Sequence, residues 1–437
     1  MRLFEALRDS AAGWRRLLKD RNVRWLYAGQ LISQIGDGVT KVALLWFVYT
    51  TTESALKMTL IGVLQTVPPL LFGPFAGVVL DRMSKRTAMI LIDLVRTGLL
   101  VLVPVLYAFG RLTLTWLYIL VFVIALFSMA FGPALNATLP RLVKKDQLIG
   151  INALMQSAMT AGQLLGPALS GLLIAAIGAQ NVLYVNAGAF LVSALCKFPL
   201  RMSGAEASGR RQSAWLQALK DLREGLCFIF VKQRLLLLLM IVASVFSFGA
   251  TGFVYLLPMI GNQILHVSSV GLGWLWSSLS IGILAATVWL LAIKEQQICR
   301  RMWMIAAASA VGGGAVLVLL LNWSLPLAAA LIAVIGGSSG LITPLVSASL
   351  QERTPKDLLA RVFSVFNTGS MAFAMLGMTA LGWASDSFGA SVSLITIGAA
   401  QLAAAAFTMM LLPLCYRLAK ESASRSSQAG LRRASSA

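Results

Sequence analysis

Twelve apolar stretches, each long enough to cross a bilayer, follow one another along this 437-residue chain with only short polar breaks between them. A membrane-crossing helix needs about 20 apolar residues, and lipid offers the backbone no hydrogen-bond partner, so a spanning segment must satisfy its own amides. The pattern therefore predicts an all-α integral membrane protein. Read between charged residues and Gly/Pro breaks, the spans fall at 24–48, 58–80, 88–109, 115–139, 150–176 and 182–200, then 234–260, 269–293, 302–321, 326–350, 361–385 and 391–414. Only 12% of residues are charged and 58% are hydrophobic, against about 25% charged in soluble domains. A soluble globular fold is excluded.

With an even number of spans, the N-terminal arm, the loops after spans 2, 4, 6, 8 and 10 and the C-terminal tail share one face. Those segments, together with the span ends that adjoin them, hold 32 of the 36 Lys and Arg residues, which predicts that face, and both termini, to be cytoplasmic. The net charge of +20 is then explained by topology and by contact with anionic lipid, and calls for no nucleic-acid partner. Five regions result: an amphipathic N-terminal arm (1–23), a six-helix half (24–200), a cytoplasmic linker (201–232), a second six-helix half (233–415) and a disordered tail (416–437). Cys196, Cys227, Cys299 and Cys415 sit at or near cytoplasmic ends of spans, where neither disulfides nor a metal cluster is expected. His266, the single histidine, falls in the loop after span 7 as a solvated residue. No phosphate-binding Gly-Lys-Ser/Thr loop and no catalytic constellation is present.

Shifting the sequence by 211 residues superposes Lys145-Asp146 on Lys356-Asp357, Gly166 on Gly377, Gly171 on Gly382 and Gly178 on Gly389. Small residues recur wherever helices pack, but a Lys-Asp pair at unchanged spacing is not explained that way. A parallel repeat of two six-span halves places a substrate site near the bilayer midplane.

The loop between spans 2 and 3 reads Gly77-Val-Val-Leu-Asp81-Arg82-Met-Ser84-Lys85-Arg86, preceded by Gly73-Pro74. It resembles the signature loop of the major facilitator superfamily. The resemblance implies a cytoplasmic gate in which Asp81 and Arg82 latch the halves and Lys85 and Arg86 anchor the turn at the anionic leaflet. Gly162-x3-Gly166-Pro167-x2-Ser170-Gly171 in span 5 is similar to the antiporter-associated motif of that superfamily, with Ser170 in place of a usual glycine; plain helix packing is the other reading. Ser33-Gln34-Ile35-Gly36-Asp37, Asp93-Leu-Val-Arg96 and Leu139-Pro140-Arg141 look like the macrolide-efflux and enterobactin-exporter branch. Span 4 lacks the Arg-containing signature of many proton-coupled members.

Four charges lie clearly within spans, away from their ends: Asp37, Lys41, Asp93 and Arg96. Each costs about 2.5–3.5 kcal/mol at the centre of a span. Asp37 and Lys41, one turn apart on span 1, are positioned to pair; they are candidates for proton coupling, with a permanent ion pair as the alternative. Asp93 and Arg96 read as support for the gate, or as a passive interfacial pair. Gln34, Gln163, Ser247 and Tyr255 are candidate cavity residues, or interhelical hydrogen-bonding groups. Trp274 and Trp276 are placed to meet a hydrophobic substrate. The expectation is a monomeric secondary transporter of the bacterial inner membrane, with no cofactor, using a proton gradient to export an antibiotic-like or siderophore-like molecule. An importer or lipid-type facilitator of the same fold, or a non-transporting sensor, are the alternatives.

Overall fold

The computed structural model describes residues 14, 16–81, 83–200, 224, 234–293, 298–321 and 324–434. Side chains of 74–82, 234–235, 356 and 414–437 lie outside that description. Among the described residues, twelve helices are long and apolar enough to cross a membrane: Arg21–Thr52 (span 1), Ala55–Gly73 (2), Lys85–Ala108 (3), Leu114–Leu142 (4), Lys145–Ile177 (5) and Ala179–Lys197 (6), then Leu236–Gln263 (7), Ser269–Ala292 (8), Ile298–Leu321 (9), Leu325–Arg353 (10), Leu359–Phe388 (11) and Ala390–Pro413 (12). The sequence-derived spans agree with these to within several residues. The backbone helix of span 2 continues to Asp81. That of span 12 continues to Ala434, through the segment whose composition predicts disorder, where Ala, Leu, Gln and Arg are all good helix formers.

The 211-residue repeat is present in the backbone. The helices Leu148–Ile177 and Leu359–Phe388 start and end 211 residues apart, and each is preceded by a one-turn 3-10 helix at Lys145–Gln147 and Lys356–Leu358. Each ends on a glycine of positive φ, +82° at Gly178 and +89° at Gly389. That is a conformation in which a Cβ is strained, so glycine terminates both helices before the next span begins.

Contacts repeat as well. A methyl group built on Gly166 (span 5) would lie 2.7 Å from the Cα of Gly38 on span 1, and one on Gly377 (span 11) would lie 2.9 Å from the backbone carbonyl carbon of Phe248 on span 7. Likewise, Gly171 faces Ser269 and Gly273 of span 8, while Gly382 faces Ala55 and Leu56 of span 2. Small residues let these helix backbones touch, and such close van der Waals packing is one of the sources of helix–helix affinity in lipid.

The chain forms two compact units: residues 1–220, 255–277 and 378–390 in the first, and 221–254, 278–377 and 391–437 in the second. In the first, Leu17, Val23, Leu26, Met89, Ile92, Leu154 and Leu200 belong to a buried cluster at the end where span 1 begins. Leu17, within the expected arm, is buried in this cluster, while Phe4, Leu7 and Arg15 of that arm, and nearly all of the 201–232 linker, lie outside the described residues. In the second unit, Leu239, Phe246, Met302, Ile305, Val346 and Val362 belong to the corresponding cluster.

Span 4 is not one continuous helix. Leu114–Ser128 ends at Met129 and a second helix runs Phe131–Leu142. Pro133 has no N–H to give the carbonyl of Met129, so the ladder cannot continue across this point. The break opens directly onto the cavity described next.

Candidate functional site

Within the first unit, spans 1, 2, 3, 4, 6 and 7 enclose a cavity of about 490 Å³, within the range of small-molecule sites. Its polar lining comes from Asp37, Thr40, Lys41, Gln65, Arg96, Asn186 and Tyr255; Leu44, Leu100, Val121, Ile124 and Phe190 are among its apolar lining residues. Ser128 and Met129 line it at the break in span 4.

The ion pairing differs from the sequence expectation. The carboxylate of Asp37 binds the guanidinium of Arg96 on span 3 and not Lys41. The Arg96 guanidinium is fixed by stacking on Phe190, 3.7 Å from the ring centroid. Lys41 turns the other way, placing Nζ 4.9 Å from the ring centroids of both Tyr255 and Trp276. An i,i+4 pair contributes only about 0.2–0.5 kcal/mol, whereas each cation–π contact contributes about 0.5–2 kcal/mol as desolvation increases. Two aromatic faces therefore outweigh the local carboxylate, which already has a partner.

Asp93 and Arg96 do not pair with each other either. Asp93 accepts from Lys197 of span 6 and, at 2.8 Å, from the Ser193 hydroxyl. Both charged side chains are fully inaccessible, and Lys197 lies over the Phe131 ring at 4.8 Å. One oxygen of Asp93 and Nε of Arg96 are buried without a hydrogen-bond partner among the described residues. The result is a short series of charges, Asp37, Arg96, Asp93 and Lys197, running from the cavity wall into the interior. Lys197 escapes the list of four intramembrane charges because a basic residue near a span end reads as a loop residue. Its position inside the apolar run 182–200 is the signal that marks it.

Among the expected cavity residues, Tyr255 is on the wall, where its hydroxyl donates to Gln65 at 3.2 Å. Gln34 instead presents its backbone to Gly162 at the span 1–span 5 contact. Gln163 is exposed, and the Ser247 hydroxyl donates to the Ala243 carbonyl of its own helix at 2.8 Å. Trp276 is buried against Lys41, while Trp274 is exposed. Gln65 and Asn186, both on the wall, were not singled out by sequence; Asn186 donates to Thr40.

The glycines of the span 5 motif lie at close helix contacts. Gly162 meets Gln34, Gly166 meets Gly38, and Gly171 meets span 8. Ser170 donates to the Val39 carbonyl at 2.9 Å, so the residue that departs from the motif supplies a buried hydrogen bond. Pro167 lies within the helix, buried.

Of the loop between spans 2 and 3, Gly77 and Asp81 end the span 2 helix, while their side chains and all of Arg82 lie outside the described residues. Ser84 caps span 3, accepting from the Thr87 amide at 3.1 Å. Arg86 donates to the carbonyls at the end of span 6, Phe198 and, at 3.3 Å, Lys197. Unpaired carbonyls and the negative end of the helix dipole attract a cation there. Lys85 is buried rather than free at a surface.

At the opposite end of this unit, Asp386 of span 11 caps span 2. It accepts from the Ala55 amide at 2.6 Å, the Leu56 amide at 3.1 Å and the Ser54 hydroxyl at 2.5 Å.

The profile of the Major Facilitator Superfamily matches residues 26–378. The multidrug efflux pump Tap of Mycolicibacterium fortuitum is 28% identical over 84% of this chain and 90% of its own. Macrolide efflux protein A of Streptococcus pyogenes is 24% identical over 80% and 85%. The fold resembles a bacterial homolog of the human lysosomal transporter Spinster in an inward-facing and unoccupied conformation, with a TM-score of 0.69 at 14% identity, covering 91% of this chain and 98% of that one. These proteins are transporters rather than enzymes.

Proposed function

This chain belongs to the major facilitator superfamily, and on that premise we propose that it is a proton-driven exporter of amphipathic small molecules. It resides in a bacterial-type cytoplasmic membrane with both termini in the cytoplasm, the side to which its Lys and Arg residues are biased. Export as the direction is supported by the efflux activity in the names of its relatives, Tap and macrolide efflux protein A. An amphipathic cargo is supported by a cavity lined by both polar and apolar side chains.

The observation that carries the coupling is the Asp37–Arg96 pair on the cavity wall. Ionised Asp37 holds Arg96. When Asp37 takes up a proton, the attraction is lost, and Arg96 is free to rebalance towards the unpartnered oxygen side of Asp93. Two arrangements of one charge series, selected by one proton, give the two states that alternating access requires. One charge moving through 100 mV supplies about 2.3 kcal/mol, comparable to the cost of unpairing a buried charge. The cargo leaves as the proton enters. The test is transport of a compound panel in inverted vesicles, with and without an uncoupler. Accumulation of an amphipathic compound that the uncoupler abolishes supports the proposal; uncoupler-insensitive equilibration, or accumulation only in right-side-out vesicles, contradicts it.

A further inference from the structure

We infer that Lys41 is the receptor for an acidic group on the cargo, so that the preferred substrates are amphipathic acids, bearing a carboxylate or sulfonate on an apolar ring body. The inference deepens the export reading and rests on it for the word substrate; the binding site itself stands on geometry.

Charge at the cavity does not balance. Asp37 is paired with Arg96, and Asp93 with Lys197. The third cation, Lys41, has no carboxylate partner among the described residues, and its ammonium contacts only the faces of Tyr255 and Trp276. Two ring quadrupoles hold a cation in place without neutralising it. A positive charge is therefore kept at membrane depth, on the wall of a cavity, where an uncompensated charge is disfavoured. A ligand anion is the chemistry that completes it.

The neighbours fit an acid as well. The ammonium carries three N–H donors. Leu100, Val121 and Ile124 also line the cavity and offer a ring body apolar contact. A cationic cargo, by contrast, would meet Lys41 and Arg96 as like charges, and its one available carboxylate, Asp37, is already held.

The test is equilibrium binding of two fluorescent probes that differ by one acid group, anilinonaphthalene sulfonate and N-phenyl-naphthylamine, to the full chain in phosphatidylcholine nanodiscs. The readout is the ratio of their affinities in wild type, Lys41→Gln and Lys41→Arg, each first shown to be monodisperse. The expected result is a preference for the sulfonate that falls about tenfold in Lys41→Gln and returns in Lys41→Arg. An unchanged ratio in Lys41→Gln, or a fall in Lys41→Arg equal to that in Lys41→Gln, overturns the inference. Lipid phosphate offers the same chemistry from another source. A second arm in discs containing phosphatidylglycerol separates the two: an undiminished sulfonate preference supports a soluble acid, and its loss assigns the site to a headgroup and overturns the substrate claim. Because binding is measured and not transport, this result is independent of whether export passes its own test.

Discussion

The carboxylate of Asp37 is bound by the guanidinium of Arg96, 59 positions away on span 3, and not by the ammonium of Lys41 one turn along its own helix. Pairing across two spans makes the state of one carboxylate a property of the helix–helix contact. A pair within span 1 would titrate without changing how the helices meet.

A first prediction concerns that pair. Arg96→Met removes the partner of a carboxylate that stays 39% accessible at its side chain, so the loss of stability is expected to be about 1–3 kcal/mol, below the 3–5 of a fully buried pair. Asp37→Asn combined with Arg96→Met should recover part of it. Thermal unfolding of the purified variants reads this directly, and simple additivity of the two single losses contradicts the pairing.

The inner pair should behave more severely. Asp93 and Lys197 are both inaccessible, and Lys197→Met strands a buried carboxylate, with an expected loss of about 3–5 kcal/mol. Asp93→Asn with Lys197→Met is expected to fold better than Lys197→Met alone. Yields of folded protein and Tm values provide the comparison; a neutral Lys197→Met contradicts the assignment.

Most of the fold was legible in the sequence because lipid imposes a coarse and unambiguous rule on span length. The 211-residue repeat was legible because Gly178 and Gly389 are fixed by backbone conformation and the Lys-Asp pairs open equivalent turns. The partners of the charges were not. Helical spacing joins Asp37 to Lys41, but it does not show that Phe190 fixes Arg96 or that Tyr255, more than 200 residues further on, offers Lys41 a face. The break in span 4 was not read from the sequence, in which 115–139 is one run; it and its meeting with a cavity came from the fold.

Glycine positions separate packing from mere flexibility. Gly166→Val is expected to cost most of the folded yield, since even a methyl group would lie 2.7 Å from the Cα of Gly38. At Gly98 no atom stands within 4 Å of a built Cβ, so Gly98→Ala should be neutral or stabilise the helix by about 0.5–1 kcal/mol. Expression and Tm of the two variants, measured side by side, decide the point.

Asp386 gives a prediction at single-residue resolution. Asp386→Ala removes the acceptor of two amides at the start of span 2, and a lost cap costs about 1 kcal/mol. Hydrogen exchange at Ala55 and Leu56 should accelerate about fivefold, with little change in the middle of the span. Uniform acceleration along span 2 would point to general destabilisation instead.

The central claim is that a proton on Asp37 drives export, and Asp37→Asn tests it most directly in inverted vesicles. Two rates are compared for the same accumulated compound: uptake driven by an imposed proton gradient, and exchange of labelled for unlabelled compound with no gradient. The account predicts that Asp37→Asn loses gradient-driven uptake and keeps exchange. Gradient-driven uptake at the wild-type rate in Asp37→Asn would contradict it.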